Sequence, residues 1–211
     1  MKILLAYSSK TKNTKKVAEA IYDEIKSLAD VKLIDIKKQR KPLEDFDLYI
    51  LGAWTDKTNA NKNMQKFIDD QNIHNKDVAI FLTCGVPREH YHAEDSINNY
   101  IQFMKERDNN ILKTFICQGK IDPKVIIVFK ILTWKDPNFI HKLTPDLMDM
   151  VKESKTHPDE RDFRDAQECF KTLIENKQSL NIFGDCFLYL NLYTMKKNTL
   201  KINSRCFYYL L

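Results

Sequence analysis

The sequence contains little glycine and little proline, and it has no long hydrophobic run. Its 211 residues include four glycines and six prolines, which excludes collagen-like and proline-rich low-complexity chains. No stretch approaches the roughly 20 apolar residues that a transmembrane helix needs. The apolar run that opens the chain is shorter than the core of a signal peptide, and no small-residue cleavage site follows it. We therefore expect a cytoplasmic protein without a membrane span.

The cysteines show no pattern of pairing. There are five, an odd number, and none forms a CxxC motif or a cysteine–histidine cluster with zinc spacing. This distribution indicates free thiols in a reducing compartment. The net charge of +5 comes mostly from the segment beyond residue 177, and the body of the chain has no basic stripe. A nucleic-acid partner is therefore not expected.

Short apolar runs alternate with amphipathic segments along the chain. The runs predict strands at 2–7, 31–36, 47–53, 77–83 and 111–117, and the amphipathic segments predict helices at 14–28, 59–70, 93–106 and 158–176. Continuous apolar strands between such helices are typical of a parallel sheet covered on both faces, so we predict an α/β fold.

Three of the four glycines, Gly52, Gly85 and Gly119, follow predicted strands. In open parallel sheets, ligands bind beyond the carboxyl ends of the strands. Glycine at such a position allows close backbone approach or a positive φ. The three glycines therefore predict a binding rim, although tight turns alone would also explain them.

The strongest candidate site is the loop between the first strand and the first helix, Ser8-Ser9-Lys10-Thr11-Lys12-Asn13-Thr14. Its four hydroxyls can donate hydrogen bonds to phosphate oxygens, as can the N–H groups at the start of the helix. The loop contains neither GxxxxGK[ST] nor GxGxxG, which argues against a P-loop NTPase and a dinucleotide fingerprint. A polar turn with a helix cap is the alternative interpretation.

The segment 7–18 resembles the phosphate-loop signature of flavodoxins, T/S-x-T-G-N-T with an alanine four residues later. The sequence differs from it at Lys12, where the family usually has a small residue, often glycine. The matching positions are Ser9, Thr11, Asn13, Thr14 and Ala18. The resemblance implies a flavodoxin-like three-layer α/β/α fold with a five-stranded parallel sheet in the order 2-1-3-4-5, and FMN as the cofactor.

The resemblance also implies two further loops around the flavin ring. The first is Gly52-Ala53-Trp54-Thr55-Asp56-Lys57, in which Trp54 is suited to stack on the ring or to flank it, unless it is a core or interface residue. The second is Thr83-Cys84-Gly85-Val86-Pro87, with Tyr91 nearby, and Gln118-Gly119 forms a third edge. We expect the Cys84 thiol to lie beside the cofactor rather than to act as a nucleophile. Neither a catalytic residue nor a metal site is predicted.

An insertion at 120–157 separates the fifth strand from the last helix. This pattern is similar to that of a subgroup of bacterial flavodoxin-family proteins, some of which accompany flavin- and iron–sulfur-dependent reductases, including the bilirubin reductase system. The resemblance implies electron transfer with a redox partner protein, either a reductase or a flavin-dependent enzyme. The alternatives are an NAD(P)H-dependent quinone or flavin reductase on the same fold and a non-enzymatic flavodoxin-fold interaction protein.

The predicted flavin-binding domain covers residues 1–177. Residues 178–211 contain seven aromatic side chains among Asn, Lys and Leu, without a helical or strand pattern. This extension fits an added hairpin, an oligomer contact or an abnormal end of the chain, and the sequence leaves the oligomeric state open.

Overall fold

The computed structural model describes residues 1–39, 41–136 and 143–179. The strands are β1 (Lys2–Tyr7), β2 (Asp30–Asp35), β3 (Leu48–Asp56), β4 (Asn59–Ala60), β5 (Asp77–Cys84) and β6 (Asn110–Gln118). The helices are α1 (Asn13–Ile25), α2 (Lys62–Asp70), α3 (Tyr91–Lys105), α4 (Pro123–Lys135), α5 (Pro145–Glu153) and α6 (160–179). Apart from residues 178 and 179 at the end of α6, the predicted extension lies outside the described residues. The chain divides into two units, 1–173 and 174–211.

Five strands form a parallel sheet in the order β2-β1-β3-β5-β6. Counted without the two-residue β4, this is the predicted order 2-1-3-4-5, so the predicted topology is confirmed. Consecutive residues of β1, such as Ile3, Leu4 and Leu5, are all buried. This is the burial expected of a strand whose two faces are both covered by helices.

Helices cover the two faces of the sheet in pairs. On one face, Met64 and Phe67 of α2 and Tyr100 of α3 join a core cluster with alternate residues of the strands. On the other face, the Phe81 ring of β5 meets the Phe170 ring of α6 edge to face, with the ring centroids 6.0 Å apart. Through this contact α6 closes the second face of the sheet beside α1.

The third strand is longer than predicted. It continues beyond residue 53 to residue 56, turns through Lys57 and Thr58, whose φ angles are both positive, and pairs antiparallel with β4. The prediction of a helix from residue 59 is therefore wrong, because α2 begins at Lys62. The apolar spacing that predicted this helix begins only at Met64, so it did not define where the helix starts.

The insertion contains α4 and α5, and none of the residues in these two helices is buried. Each helix begins with a residue whose side chain caps it, followed by a proline. Asp and Thr are favoured at the cap position, and proline is favoured at the first helical position. Asp122 Oδ1 accepts from the Lys124 N–H at 3.0 Å, and Thr144 Oγ1 accepts from the Leu147 N–H at 3.2 Å. Within the described ranges, no helix is both long enough and apolar enough to cross a membrane.

Candidate functional site

Four chain segments leave the sheet at the same edge, because parallel strands end on the same side. The strand register pairs Tyr7 with Gly52, and Cys84 with Gln118. The loops after β1, β5 and β6 therefore lie along one rim together with the end of β3. The predicted site residues lie in these loops, at these strand ends and at two helix starts, with Asn13 and Thr14 opening α1 and Tyr91 opening α3.

The first loop reaches α1 through a residue in the left-handed backbone region. Lys12 has φ 72° and ψ −1° directly before the helix. A residue with a Cβ is strained there by roughly 1–2 kcal/mol, whereas glycine adopts the region freely. This is the position at which the sequence departs from the flavodoxin signature. The backbone therefore keeps a conformation suited to glycine, although the side chain is lysine.

The start of α1 offers free hydrogen-bond donors. Lys12, the residue directly before the helix, makes no side-chain cap hydrogen bond, and the first turn contains no acidic residue. In the part of the chain that the structure describes, the backbone N–H groups of Asn13 and Thr14 have no acceptor, while the Lys15 N–H donates to Ser9 Oγ at 3.3 Å. Uncapped amides at a helix start favour an anion, and the helix dipole adds about 0.3–1 kcal/mol.

The hydroxyls of this loop differ in accessibility. Thr14 is buried, and its Oγ1 lies 2.9 Å from the Oγ1 of buried Thr83 at the end of β5. Ser9 is half-buried and Thr11 is exposed. The Thr14 hydroxyl therefore holds the loop against β5, and the accessible hydroxyls are those of Ser9 and Thr11.

Asn61 connects the first loop to β3 and is a residue that the sequence analysis missed. Its Nδ2 donates to Ser8 Oγ at 2.9 Å, its backbone N–H donates to the Trp54 carbonyl at 3.0 Å, and its Oδ1 accepts from the Trp54 N–H at 3.4 Å. Asn61 and Ser8 are 1% and 0% exposed, so their polar atoms depend on these bonds. The available signal was an asparagine just before a helix, a common cap. Here its side chain makes no cap hydrogen bond.

Asn13 connects the first loop to the loop after β6. Its Nδ2 donates to the Lys120 carbonyl at 2.9 Å, and a Cβ on Gly119 would lie only 2.9 Å from that nitrogen. The Gly119 N–H donates to the Cys84 carbonyl at 2.7 Å, which joins the third loop to the same structure. Gly119 is therefore required for close packing of two loops.

The other two rim glycines also serve close packing. A Cβ on Gly52 would lie 2.0 Å from the Phe81 ring, and one on Gly85 would lie 2.9 Å from Ile121 Cγ1. None of the described glycines has a positive φ. Gly52 lies inside β3 rather than at its end, because the strand extends further than predicted.

Trp54 presents a partly exposed aromatic ring at this rim. The Lys10 ammonium lies 5.7 Å from the centre of the indole and also pairs with Asp122 Oδ2 at 3.8 Å. The next residue, Thr55, has a buried Oγ1 without a hydrogen-bond partner among the described residues. Such an unsatisfied buried hydroxyl is uncommon, and a polar ligand atom would satisfy it. Asp56, which follows, is half-buried, and Ala53 is fully buried beneath the rim.

The thiols near the rim do not have the exposure of a nucleophile. Cys84 is 3% exposed and Cys117 is 0% exposed, and burial raises the pKa of the Cys117 thiol well above its usual value. Reactive cysteines are accessible and carry a lowered pKa. Tyr91, by contrast, is 70% exposed, and its ring packs on that of His90 with centroids 4.4 Å apart.

The loop after β5 is fixed to the start of α6. Arg88 pairs with Asp162 at 3.3 Å and with Asp165 at 2.9 Å. Asp159 and Asp162 each accept the other's backbone N–H at 3.0 Å, and His157 Nδ1 lies 2.5 Å from Asp162 Oδ2. The side chains of 157, 159 and 162 lie close enough together to hold a metal ion. The carboxylate oxygens of Asp159 and Asp162 instead accept hydrogen bonds from backbone N–H groups, and Asp162 also pairs with His157 and Arg88. The group therefore anchors a loop and a helix.

A protein-family model describing a flavodoxin domain matches residues 4–171. The chain belongs to the flavodoxin domain family. It is 35% identical over 175 residues to a flavodoxin-like domain-containing protein, BilS, of Clostridioides difficile, covering 82% of this chain and 97% of that protein.

Solved structures show the same fold at lower identity. A flavodoxin from the domain Archaea matches with a TM-score of 0.51 at 19% identity, covering 83% of this chain and 98% of that one. The rubredoxin oxygen:oxidoreductase from Desulfovibrio gigas matches with a TM-score of 0.52 at 12% identity, covering 84% of this chain and 36% of that one. The family resemblance and the predicted flavodoxin-like fold are therefore confirmed.

In this flavodoxin domain, the structure joins the predicted loops by hydrogen bonds that involve Ser8, Asn13, Thr14 and Gly119. Contact of the predicted residues with a flavin stays a prediction, and so does a role for Tyr91.

Proposed function

We propose that this flavodoxin domain binds FMN at the carboxyl edge of its sheet and acts in electron transfer, as a carrier or an accessory component of a flavin-dependent reductase system. The observation that carries this proposal is the uncapped start of α1 behind the left-handed Lys12. Bound FMN supplies reversible one- and two-electron redox chemistry, and the protein positions and tunes it.

The residues that would hold the phosphate lie together at one helix start. The free N–H groups of Asn13 and Thr14 and the accessible hydroxyls of Ser9 and Thr11 are all donors. Lys10 adds a positive charge to the same loop. A phosphate monoester is rich in acceptor oxygens, so this donor-rich loop without acidic residues matches it chemically.

The residues that would hold the flavin ring lie at the next two strand ends. Trp54 offers a flat, partly exposed aromatic surface, and the buried Thr55 Oγ1 lacks a partner among the described residues. The loop at Gly85 lies at the same rim, whereas the Gly119 N–H donates to the Cys84 carbonyl and so fixes the third loop beside it. Aromatic stacking together with a few polar contacts is the usual composition of a cofactor site.

A carrier role suits the side chains at this rim. Cys84 is buried, and burial limits the nucleophilic reactivity of a thiol. The domain would then exchange electrons with a redox partner protein, a reductase or a flavin-dependent enzyme. Similarity to the subgroup that accompanies such reductases supports this assignment. The identity to the Clostridioides difficile relative over nearly its whole length supports the flavodoxin-like domain on which it rests.

The test is FMN binding by the purified full-length protein, followed by flavin absorbance and fluorescence quenching. We expect Thr11→Asp to weaken FMN binding by about tenfold or more, because the negative carboxylate would repel the phosphate. A tenfold loss corresponds to about 1.4 kcal/mol of binding free energy. The matched control is Ser27→Asp, which adds the same charge at an exposed position just beyond the other end of α1. A protein that binds no FMN, or equal affinity in the two variants, would contradict the proposal. Bleaching of the bound flavin by NADPH alone would refute the carrier role in favour of a stand-alone reductase.

A further inference from the structure

Helix α4 in the insertion exposes an unusual set of side chains. Its large apolar residues on the outside are Ile127, Val128, Ile131, Leu132 and Trp134, which are 37–82% exposed. Residues 127, 131 and 134 follow the spacing of one helix face, and residues 128 and 132 form the adjacent row. The half-buried residues 125, 126, 129 and 133 lie on the opposite side. Such a continuous exposed apolar face indicates an interaction surface.

The charges on this helix all have one sign. Lys124, Lys130 and Lys135 are exposed, and α4 contains no aspartate or glutamate. Lys120 before the helix and Asp136 directly after it are both exposed, so these two flanking residues add no net charge to that of the three lysines. A second copy of the helix would bring three like charges against three, which opposes self-association through this face. The complementary surface is therefore both apolar and negatively charged.

We propose that the outer face of α4 docks on an anionic lipid surface, with the helix lying in the plane of the headgroups. At about 1.5 Å per residue, thirteen residues span roughly 20 Å along that plane. The aliphatic side chains would enter the acyl boundary, while the lysine stems extend their ammonium groups to the phosphates. Trp134, 82% exposed at the end of the helix, is of the residue type that is enriched at membrane interfaces.

The exposed side chains of α4 suit a lipid surface better than they suit a protein partner. Its exposed residues are only proline, lysine, aliphatic residues and tryptophan. A protein interface normally surrounds its apolar centre with a polar rim that carries directional hydrogen bonds. The exposed face of α4 has no hydroxyl, amide or carboxylate for such bonds, whereas a fluid anionic surface requires only apolar insertion and positive charge.

The test uses the purified full-length protein and sedimentation with vesicles of phosphatidylcholine and phosphatidylglycerol in about equal parts. We expect binding that is weaker on vesicles of phosphatidylcholine alone and weaker in high salt. Binding should shift the tryptophan emission to shorter wavelength, and Trp134→Phe should remove that shift. Ile127→Gln combined with Ile131→Gln should reduce binding by about tenfold or more, because each change removes apolar surface from the acyl boundary.

A charge variant and its control complete the test. Replacing the three α4 lysines by glutamine should also reduce binding, whereas glutamine at Lys41, Lys105 and Lys113, exposed lysines elsewhere, should leave it nearly unchanged. Absence of binding to anionic vesicles would overturn the proposal, as would equal loss in both triple variants. If the protein forms an oligomer and the double isoleucine substitution makes it monomeric, the face binds a second copy of the chain instead. None of these measurements requires bound flavin, so failure here leaves the FMN proposal standing.

Discussion

Replacing Lys12 by glycine should stabilise the protein, because this residue holds a backbone conformation that suits glycine. Lys12 has φ 72°, and a Cβ in this region costs roughly 1–2 kcal/mol. Glycine removes that cost but loses about 0.5–1 kcal/mol in additional chain entropy on folding. We expect a net gain of about 0.5–1 kcal/mol over Lys12→Ala, which keeps the Cβ and removes the same charge.

The assay is thermal and urea unfolding of the two variants side by side. For a chain of this size, 1 kcal/mol shifts Tm by about 2–4 °C, so Lys12→Gly should melt about 1–4 °C above Lys12→Ala. The same pair at Lys16, an exposed position inside α1, serves as the control. There glycine should be less stable than alanine by about 1 kcal/mol. The reasoning is refuted if Lys12→Gly is no more stable than Lys12→Ala, or if the two positions respond alike.

Three further substitutions test the packing and hydrogen bonds near the site. Gly52→Ala would place a Cβ 2.0 Å from the ring of buried Phe81, so urea unfolding should show a loss of about 1–3 kcal/mol; a neutral result would contradict the close packing. Thr14→Val leaves the buried Thr83 hydroxyl without its partner, so it should cost about 1–3 kcal/mol, and the double valine variant should recover part of this loss in a double-mutant cycle. Asp159→Ala removes a helix cap and should cost about 1 kcal/mol near neutral pH. Hydrogen bonds from the backbone N–H groups of residues 162 and 161 lower the pKa of the Asp159 carboxyl. Its stabilisation is therefore present above the usual carboxyl pKa and lost as the pH falls through the lowered value, and a gap between wild type and variant that persists in strong acid would count against this assignment.

The parallel sheet could be predicted because its signal is local. Within each of β1, β3 and β5 the buried residues are consecutive, and amphipathic helices lie between the strands. The spacing of the apolar residues and the order of the segments are therefore enough to indicate the α/β class. The hairpin of β4 with the end of β3 escaped prediction because β4 has only two residues, Asn59 and Ala60, which are too few to form a periodic pattern.

The sequence predicted which side chains of the candidate site carry donor groups, but it did not predict which of these groups are accessible. A sequence shows that Ser8, Ser9, Thr11 and Thr14 have hydroxyls, but it does not show which of them turn inward. Burial of the first and last depends on partners 53 and 69 residues away, Asn61 and Thr83. Such pairings are set by the packing of the whole sheet and have no local sequence signal.

The most direct test of the central claim compares the affinities of FMN and riboflavin for the purified protein. The two ligands share the flavin ring and differ in the terminal phosphate. If the start of α1 binds that phosphate, FMN should bind at least about tenfold more tightly than riboflavin, a difference in binding free energy of about 1.4 kcal/mol or more. Equal affinity for the two ligands, or no binding of either, would contradict the account.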